Sequence, residues 1–302
     1  MIYVTQGHEK GIGLEIFLKS YLLLSSAEQL QTSLICDEDV FKKNLHDLKL
    51  PAHLFNKLKI IPNKIFSSFH STNSLLTSLE IMGSKDILVT LPTSKDQLMF
   101  ENKHCAGYTE FFRAYYKNPF LPMTFVGVDK NILLITDHIS LMEVGPHISA
   151  DLIFNKTQIA LDGFKKYFSP INEVVFAGLN PHAGEGGILG SEEKFINEAI
   201  ALLDKGNGPN FLGPFSGDTL HTKDHKSREQ LFVYMYHDQG LTSFKSEYGL
   251  IGLNVTLGLP YLRLSVDHGT AFDLYGKNMA NATSMIYLFK KAFEVIDVHQ
   301  RN

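Results

Sequence analysis

Three histidines stand directly after apolar, strand-like runs. His138 follows Leu133-Leu134-Ile135-Thr136-Asp137, and His182 lies just beyond Val174-Val175-Phe176-Ala177. His237 follows Phe232-Val233-Tyr234-Met235-Tyr236 and precedes Asp238. Imidazoles delivered from separate strand ends suit a divalent cation, with Asp137 or Asp238 as an oxygen ligand or an orienting partner. Taken singly, each of the 13 histidines reads more readily as an ordinary hydrogen-bonded side chain. The shared placement sets these three apart. Such a mixed His/carboxylate set accepts Zn, Mn, Co or Fe, whereas Mg favours more oxygen.

Glycine-rich segments adjoin these candidates. Gly178-Leu-Asn-Pro-His182-Ala-Gly184-Glu185-Gly186-Gly187 follows a buried-strand pattern, and loops beyond strand ends are where open α/β sheets bind ligands. Gly7-His8-Glu9-Lys10-Gly11-Ile12-Gly13 leads from a first strand into a first helix. Its spacing fits neither the dinucleotide fingerprint nor a P-loop, and a plain turn accounts for it. Asp267-His268-Gly269-Thr270-Ala271, trailed by Asp273, Gly276, Lys277 and Asn281, again follows a strand and precedes a helix. Lys245, Asn254 and Arg263 interrupt apolar segments. In Tyr261-Leu262-Arg263-Leu264-Ser265-Val266 a guanidinium falls within a strand, where it needs an anion. That anion is either a phosphate or carboxylate ligand or one of the 32 acidic residues.

Positioning these groups falls to alternating elements. Strands are predicted at Ile2–Thr5, Ser33–Cys36, Leu58–Ile61, Asp86–Thr90, Thr124–Val128, Asn131–Thr136, Glu173–Ala177, Leu231–Tyr236, Asn254–Leu257 and Leu262–Val266. Helices are predicted at Ile12–Leu24, after an Asp37 cap through Leu48, and at Ser74–Met82, Thr109–Tyr116, Leu141–Ser149, Phe154–Tyr167, Glu192–Leu203 and Met279–Ile296. The alternation argues for α/β layers with largely parallel pairing. The chain's 302 residues, 44% hydrophobic and 20% charged, suffice for two cores. A formal net charge of −4 offers no reason to expect nucleic acid or a membrane surface, so an anionic ligand needs a local cluster of cations. Cys36 and Cys105 read as free thiols of a reducing compartment. Without a signal-peptide start or an apolar run near ~18 residues, the expected location is the cytoplasm.

Five segments, taken together, carry a resemblance. Ile135-Thr-Asp-His138-Ile, Gly178 to Gly187, Gly213-Pro-Phe-Ser-Gly-Asp218-Thr, Tyr236-His237-Asp238-Gln-Gly-Leu241 and Ser265-Val-Asp-His268-Gly-Thr-Ala271 resemble, in order, the 4-hydroxythreonine-4-phosphate dehydrogenases of vitamin B6 synthesis. The last is also similar to the adenine-side loop of isocitrate and isopropylmalate dehydrogenases. The resemblance implies a two-domain α/β fold of that wider group, with α/β/α layers and an inter-domain cleft. Its first domain would be discontinuous, 1–113 with 248–302. Residues 114–247 would form a second domain bearing the dimer contacts. It further implies a homodimer with a shared metal site, His138, His182 and His237 as ligands of one Zn, Mg, Mn or Co ion, and NAD or NADP as cofactor. Gly184, Gly186, Gly187, His268, Gly269, Thr270, Ala271, Asp273 and Asn281 would hold the dinucleotide. Thr109, Lys245, Asn254 and Arg263 fall on substrate-binding positions, together with Tyr108, where the family carries a histidine.

The implied reaction oxidises the secondary alcohol of 4-(phosphooxy)-L-threonine to a β-keto acid that decarboxylates, within pyridoxal 5'-phosphate synthesis. Asp238 and Lys245 are the candidate proton acceptors. In the first turn, His8, Glu9 and Lys10 replace the family's proline-containing sequence. Together with Tyr108 this makes phosphorylated threonate or erythronate alternative substrates. A metal-dependent hydrolase is a further alternative, but it assigns no role to Asp267–Ala271.

Overall fold

Apolar runs too short for helices and too continuous for half-exposed strands must be covered on both faces. Thr32–Cys36, Ile87–Thr90 and Leu262–Val266 meet that description and are buried along their whole length. The structure, a computed structural model, describes residues 1–206 and 208–301. The chain divides into one unit of Met1–Tyr115 with the segment from Leu259 onward, and a second of Tyr116–Gly258.

In the first unit the strands lie in the order Leu262–Val266, Ile87–Thr90, Ile2–Thr5, Thr32–Cys36, Lys59–Pro62, all parallel. Arg263 sits opposite Leu88 and is buried. Helices Gly13–Tyr21 and Thr283–Arg301 pack together, with the Phe17 and Phe289 rings 6.1 Å apart. Asp37 caps the helix Glu38–Asp47 as predicted, its Oδ1 accepting from Asp39 and Val40 N–H at 3.0 and 3.1 Å. A short helix at Ser26–Leu30 was not expected. Its signal was the Ser25/Glu28 capping box, whose reciprocal bonds both form.

The second unit orders Asn210–Phe215, Glu173–Ala177, Gln230–Tyr234 and Asn131–Leu134 in parallel. Met123–Val126 then runs antiparallel to both Asn131–Leu134 and Leu253–Thr256. Pairing is therefore largely but not wholly parallel. The crossings fall at Tyr115/Tyr116 and Gly258/Leu259, where 113/114 and 247/248 were expected. Pairing with Met123–Val126 keeps Leu253–Thr256 in the second unit. Asn210–Phe215 was also unforeseen; it lies on the sheet edge, where its proline is tolerated. Among the described residues, no helix is long and apolar enough to cross a membrane.

Candidate active site

In the second unit, parallel neighbours deliver the histidines from the same end of the sheet. Beyond Asn131–Leu134 the chain stays in register, with Ile135 N–H donating to Tyr234 O at 2.9 Å and Thr136 N–H to Met235 O at 3.1 Å. The Thr136 hydroxyl donates to that same oxygen at 2.7 Å. Two residues later His138 turns outward, and its ring centroid lies 5.7 Å from that of His237. His237 does not open a loop. It is the first residue of the helix His237–Tyr248, whose buried face of Leu241, Phe244 and Tyr248 the sequence reading overlooked. Its Nδ1 lies 2.6 Å from Asp238 Oδ1. A carboxylate only accepts, so Nδ1 carries the proton and Nε2 keeps a lone pair for a cation. Asp238 thereby orients the His237 ring. Asp137 Oδ1 accepts the His138 N–H at 3.0 Å, and its Oδ2 lies 3.7 Å from Lys156 Nζ, so it too is engaged by the protein.

His182 is placed differently. After Glu173–Ala177 the backbone enters a left-handed turn in which His182, Ala183, Gly184, Glu185 and Gly186 have φ of 53°, 51°, 76°, 43° and 66°. For residues with a Cβ this costs on the order of 1–2 kcal/mol each, so the surroundings must impose it. The buried Glu193 carboxylate does so by accepting from Asn180 N–H at 2.8 Å and from Asn180 Nδ2 at 3.0 Å. A Cβ on Gly184 would lie 2.6 Å from Glu193 Oε2, so only glycine fits there. His182 lines a cavity of about 490 Å³ with Asn180, Ser216, Asp218, Tyr236 and Gln239. The Ser216 hydroxyl, 2.5 Å away, holds the Asp218 carboxyl below its usual range, with a smaller contribution from His182. Gln239 joins the strand ends, accepting from Met235 N–H and donating to Gly178 O, both at 2.8 Å.

The donor set fits a cation in part. His138 and His237 form a pair with one ring already oriented. Among the described residues of one chain, no three His, Cys, Asp or Glu side chains gather as a complete metal site. In the same unit Lys245 is exposed near the end of His237–Tyr248, and the half-buried Asn254 pairs opposite Phe125.

In the first unit the Arg263 guanidinium is buried. It donates to Thr90 Oγ1 from Nε at 3.1 Å and from Nη2 at 2.6 Å. Its carbon lies 5.0 Å from the centre of the Tyr108 ring. Burial lowers its pKa to about 10, which leaves it cationic at neutral pH. The Tyr108 hydroxyl donates to Leu91 O at 2.9 Å, so Tyr108 supports Arg263 and its hydroxyl faces the protein. Thr109 Oγ1 is buried without a hydrogen-bond partner among the described residues. The Asp267–Ala271 loop lies on the first glycine turn, with Ile12 N–H donating to Thr270 O at 2.9 Å. Gly7, at φ 69°, is required there because a Cβ would meet Pro92 O at 2.5 Å.

Of the dinucleotide candidates, His268 bonds Gly269 O at 3.1 Å and Ser284 Oγ at 2.8 Å. Asn281 Oδ1 accepts from Thr283 N–H at 2.9 Å and Thr283 Oγ1 at 2.7 Å, at the start of the last helix. Gly186, Gly187 and Gly269 face open space; Ala271 is left-handed and Asp273 exposed in the short turn Phe272–Leu274.

Residues 65–292 match the model of the family described as pyridoxal phosphate biosynthetic protein PdxA. The chain belongs to the PdxA family. It is 31% identical to the 4-hydroxythreonine-4-phosphate dehydrogenase of Wigglesworthia glossinidia brevipalpis, over 100% of this chain and 97% of that one. Its identity to the enzyme of that name from Sulfurimonas denitrificans is also 31%, over 96% of both. The crystal structure of 4-hydroxythreonine-4-phosphate dehydrogenase from Klebsiella pneumoniae shares the fold, with a TM-score of 0.77 at 25% identity over 98% of this chain and 99% of that chain. Within this PdxA fold, sequence reasoning passed over Lys156, Glu193 and Gln239. Only Gln239 had a local signal, its place beside His237 and Asp238.

Proposed function

We propose that this chain oxidises the secondary alcohol of 4-(phosphooxy)-L-threonine in pyridoxal 5'-phosphate synthesis, and that the β-keto acid formed loses CO₂. The observation that carries this reading is the His138–His237 pair with Asp238 behind it, in a chain of this family. His138 and His237 would hold a divalent cation, with His182 as third ligand. Such an ion would supply Lewis acidity toward the alcohol oxygen, and an oxidised nicotinamide dinucleotide would supply the hydride acceptor. Arg263 and Thr109 supply a buried cation and an unsatisfied hydroxyl for the phosphate or carboxylate. Asp238 is engaged by His237, and Lys245 is the other candidate to receive the alcohol proton. Gly184, Gly186, Gly187 and the Asp267–Ala271 loop would border the dinucleotide.

We further propose a cytoplasmic homodimer in which His182 completes the partner's cation site. Support comes from strongly exposed apolar side chains in the same unit, Met142 at 88%, Ile188 at 80% and Leu141 at 71%. Because the Tyr108 hydroxyl is turned to Leu91 O, a phosphorylated threonate or erythronate is the second substrate reading. The test is NAD and NADP reduction with each of the three phosphorylated acids, before and after metal removal by chelation. Metal-dependent turnover of 4-(phosphooxy)-L-threonine is expected. No reduction with any of them, or phosphate release instead, refutes the proposal.

A further inference from the structure

Lys156 lies on the buried face of the helix Ala150–Tyr167, beside Ile153, Ala160 and Phe164. An ammonium at such a position is costly unless it is paired, and an apolar side chain would serve packing better. Its partners belong to the segment leading to His138. Lys156 Nζ donates to Ile135 O at 2.6 Å and lies 3.7 Å from Asp137 Oδ2, with the two side chains 3% and 7% exposed. Asp137 Oδ1 accepts the His138 N–H, and Thr136 is tied to Met235 O from the opposite side. Met235 leads directly to His237.

We infer that Lys156 is a positioning residue for the cation ligand His138. Its ammonium compensates the nearly buried Asp137 carboxylate and grips the Ile135 carbonyl. The turn is thereby fixed with the His138 ring facing that of His237. This inference rests on the cation reading above. A lysine serving stability alone would leave cation affinity unchanged once its charge and that of Asp137 were removed together.

The test is a Co²⁺ titration of the metal-free full-length protein, read by the cobalt ligand-field absorbance, with urea unfolding as the control for fold. Lys156→Met is expected to weaken Co²⁺ binding about tenfold or more and to alter the spectrum, the range seen when supporting partners of metal ligands are lost. The pair Asp137→Asn/Lys156→Met, which leaves no unpaired buried charge, should unfold near the wild-type midpoint yet keep the weakened, altered cobalt site. In a His138→Ala background, Lys156→Met should add no further loss. Wild-type cobalt affinity and spectrum in the double variant overturn the inference, as does equal weakening with and without His138. Loss of fold in the double variant also overturns it, by assigning the pair to stability. A wild-type protein that takes no cobalt refutes the cation reading itself.

Discussion

The Tyr108 hydroxyl and ring have different partners, and substitution can separate them. Tyr108→Phe keeps the ring beneath Arg263 and removes one hydrogen bond to Leu91 O, worth about 1 kcal/mol in a buried setting. Urea unfolding should register that loss, while KM for the phosphorylated substrate stays within about threefold, since the hydroxyl faces the protein. Tyr108→Ala removes the ring as well. It should cost about 3 kcal/mol or more in stability and raise KM far more than it lowers kcat, because the guanidinium loses its support. A tenfold rise in KM for Tyr108→Phe would place the hydroxyl on the substrate and refute this assignment. Asp238→Ala acts at the other site, where the imidazole loses its fixed tautomer. Zinc affinity should fall by about 10- to 100-fold, measured by competition with a chelating dye.

The left-handed turn from His182 to Gly186 separates two kinds of glycine. At Gly184 a methyl group meets both a φ of 76° and the buried Glu193 carboxylate 2.6 Å away, whereas at Gly186 it meets open space. Gly184→Ala should cost about 3 kcal/mol or more in urea unfolding, and Gly186→Ala about 1 kcal/mol from backbone strain alone. Equal costs would mean that Glu193 does not brace the turn. Glu193 had no sequence signal, because its partner Asn180 belongs to a different element and only the fold joins them. Strands rich in apolar and β-branched residues were legible: Ile2–Thr5, Glu173–Ala177 and Leu262–Val266 run over the predicted residues. Asn210–Phe215 was not, since Gly213-Pro214 breaks its apolar run. Strand-end position marked His138, His182 and His237 as candidates. It could not tell which rings approach, because that depends on the direction of each side chain after its strand, including a left-handed turn that no local pattern announces.

Across the second unit, a charge cluster and the proposed cation site make separable predictions for the whole molecule. Lys130 Nζ lies 2.6 Å from Asp224 Oδ2 and 2.8 Å from Glu247 Oε2, with Lys226 bonded to both acids. Burial alone would raise the Asp224 pKa, but hydrogen bonds from Lys130 and Lys226 outweigh it and hold the carboxyl below its ordinary value. A depressed folded pKa contributes stability that is complete above the unfolded value of about 3.9 and is lost as pH falls through the folded one. Lys130→Met should therefore cost about 3 kcal/mol at neutral pH, and the gap from wild type should narrow as pH drops below about 4. A gap independent of pH would leave the cluster without a role in acid stability. The proposed cation site tests assembly. If His182 serves the partner subunit's site, His182→Ala and His237→Ala are each inactive alone yet complement one another. In a mixed dimer both defects fall on one site and leave the other whole. Random reassortment of an equal mixture makes half the dimers mixed, each with one working site of two, so about a quarter of wild-type activity should return. If His182, His138 and His237 instead act within one chain, every site in every dimer carries a defect, and mixing restores nothing.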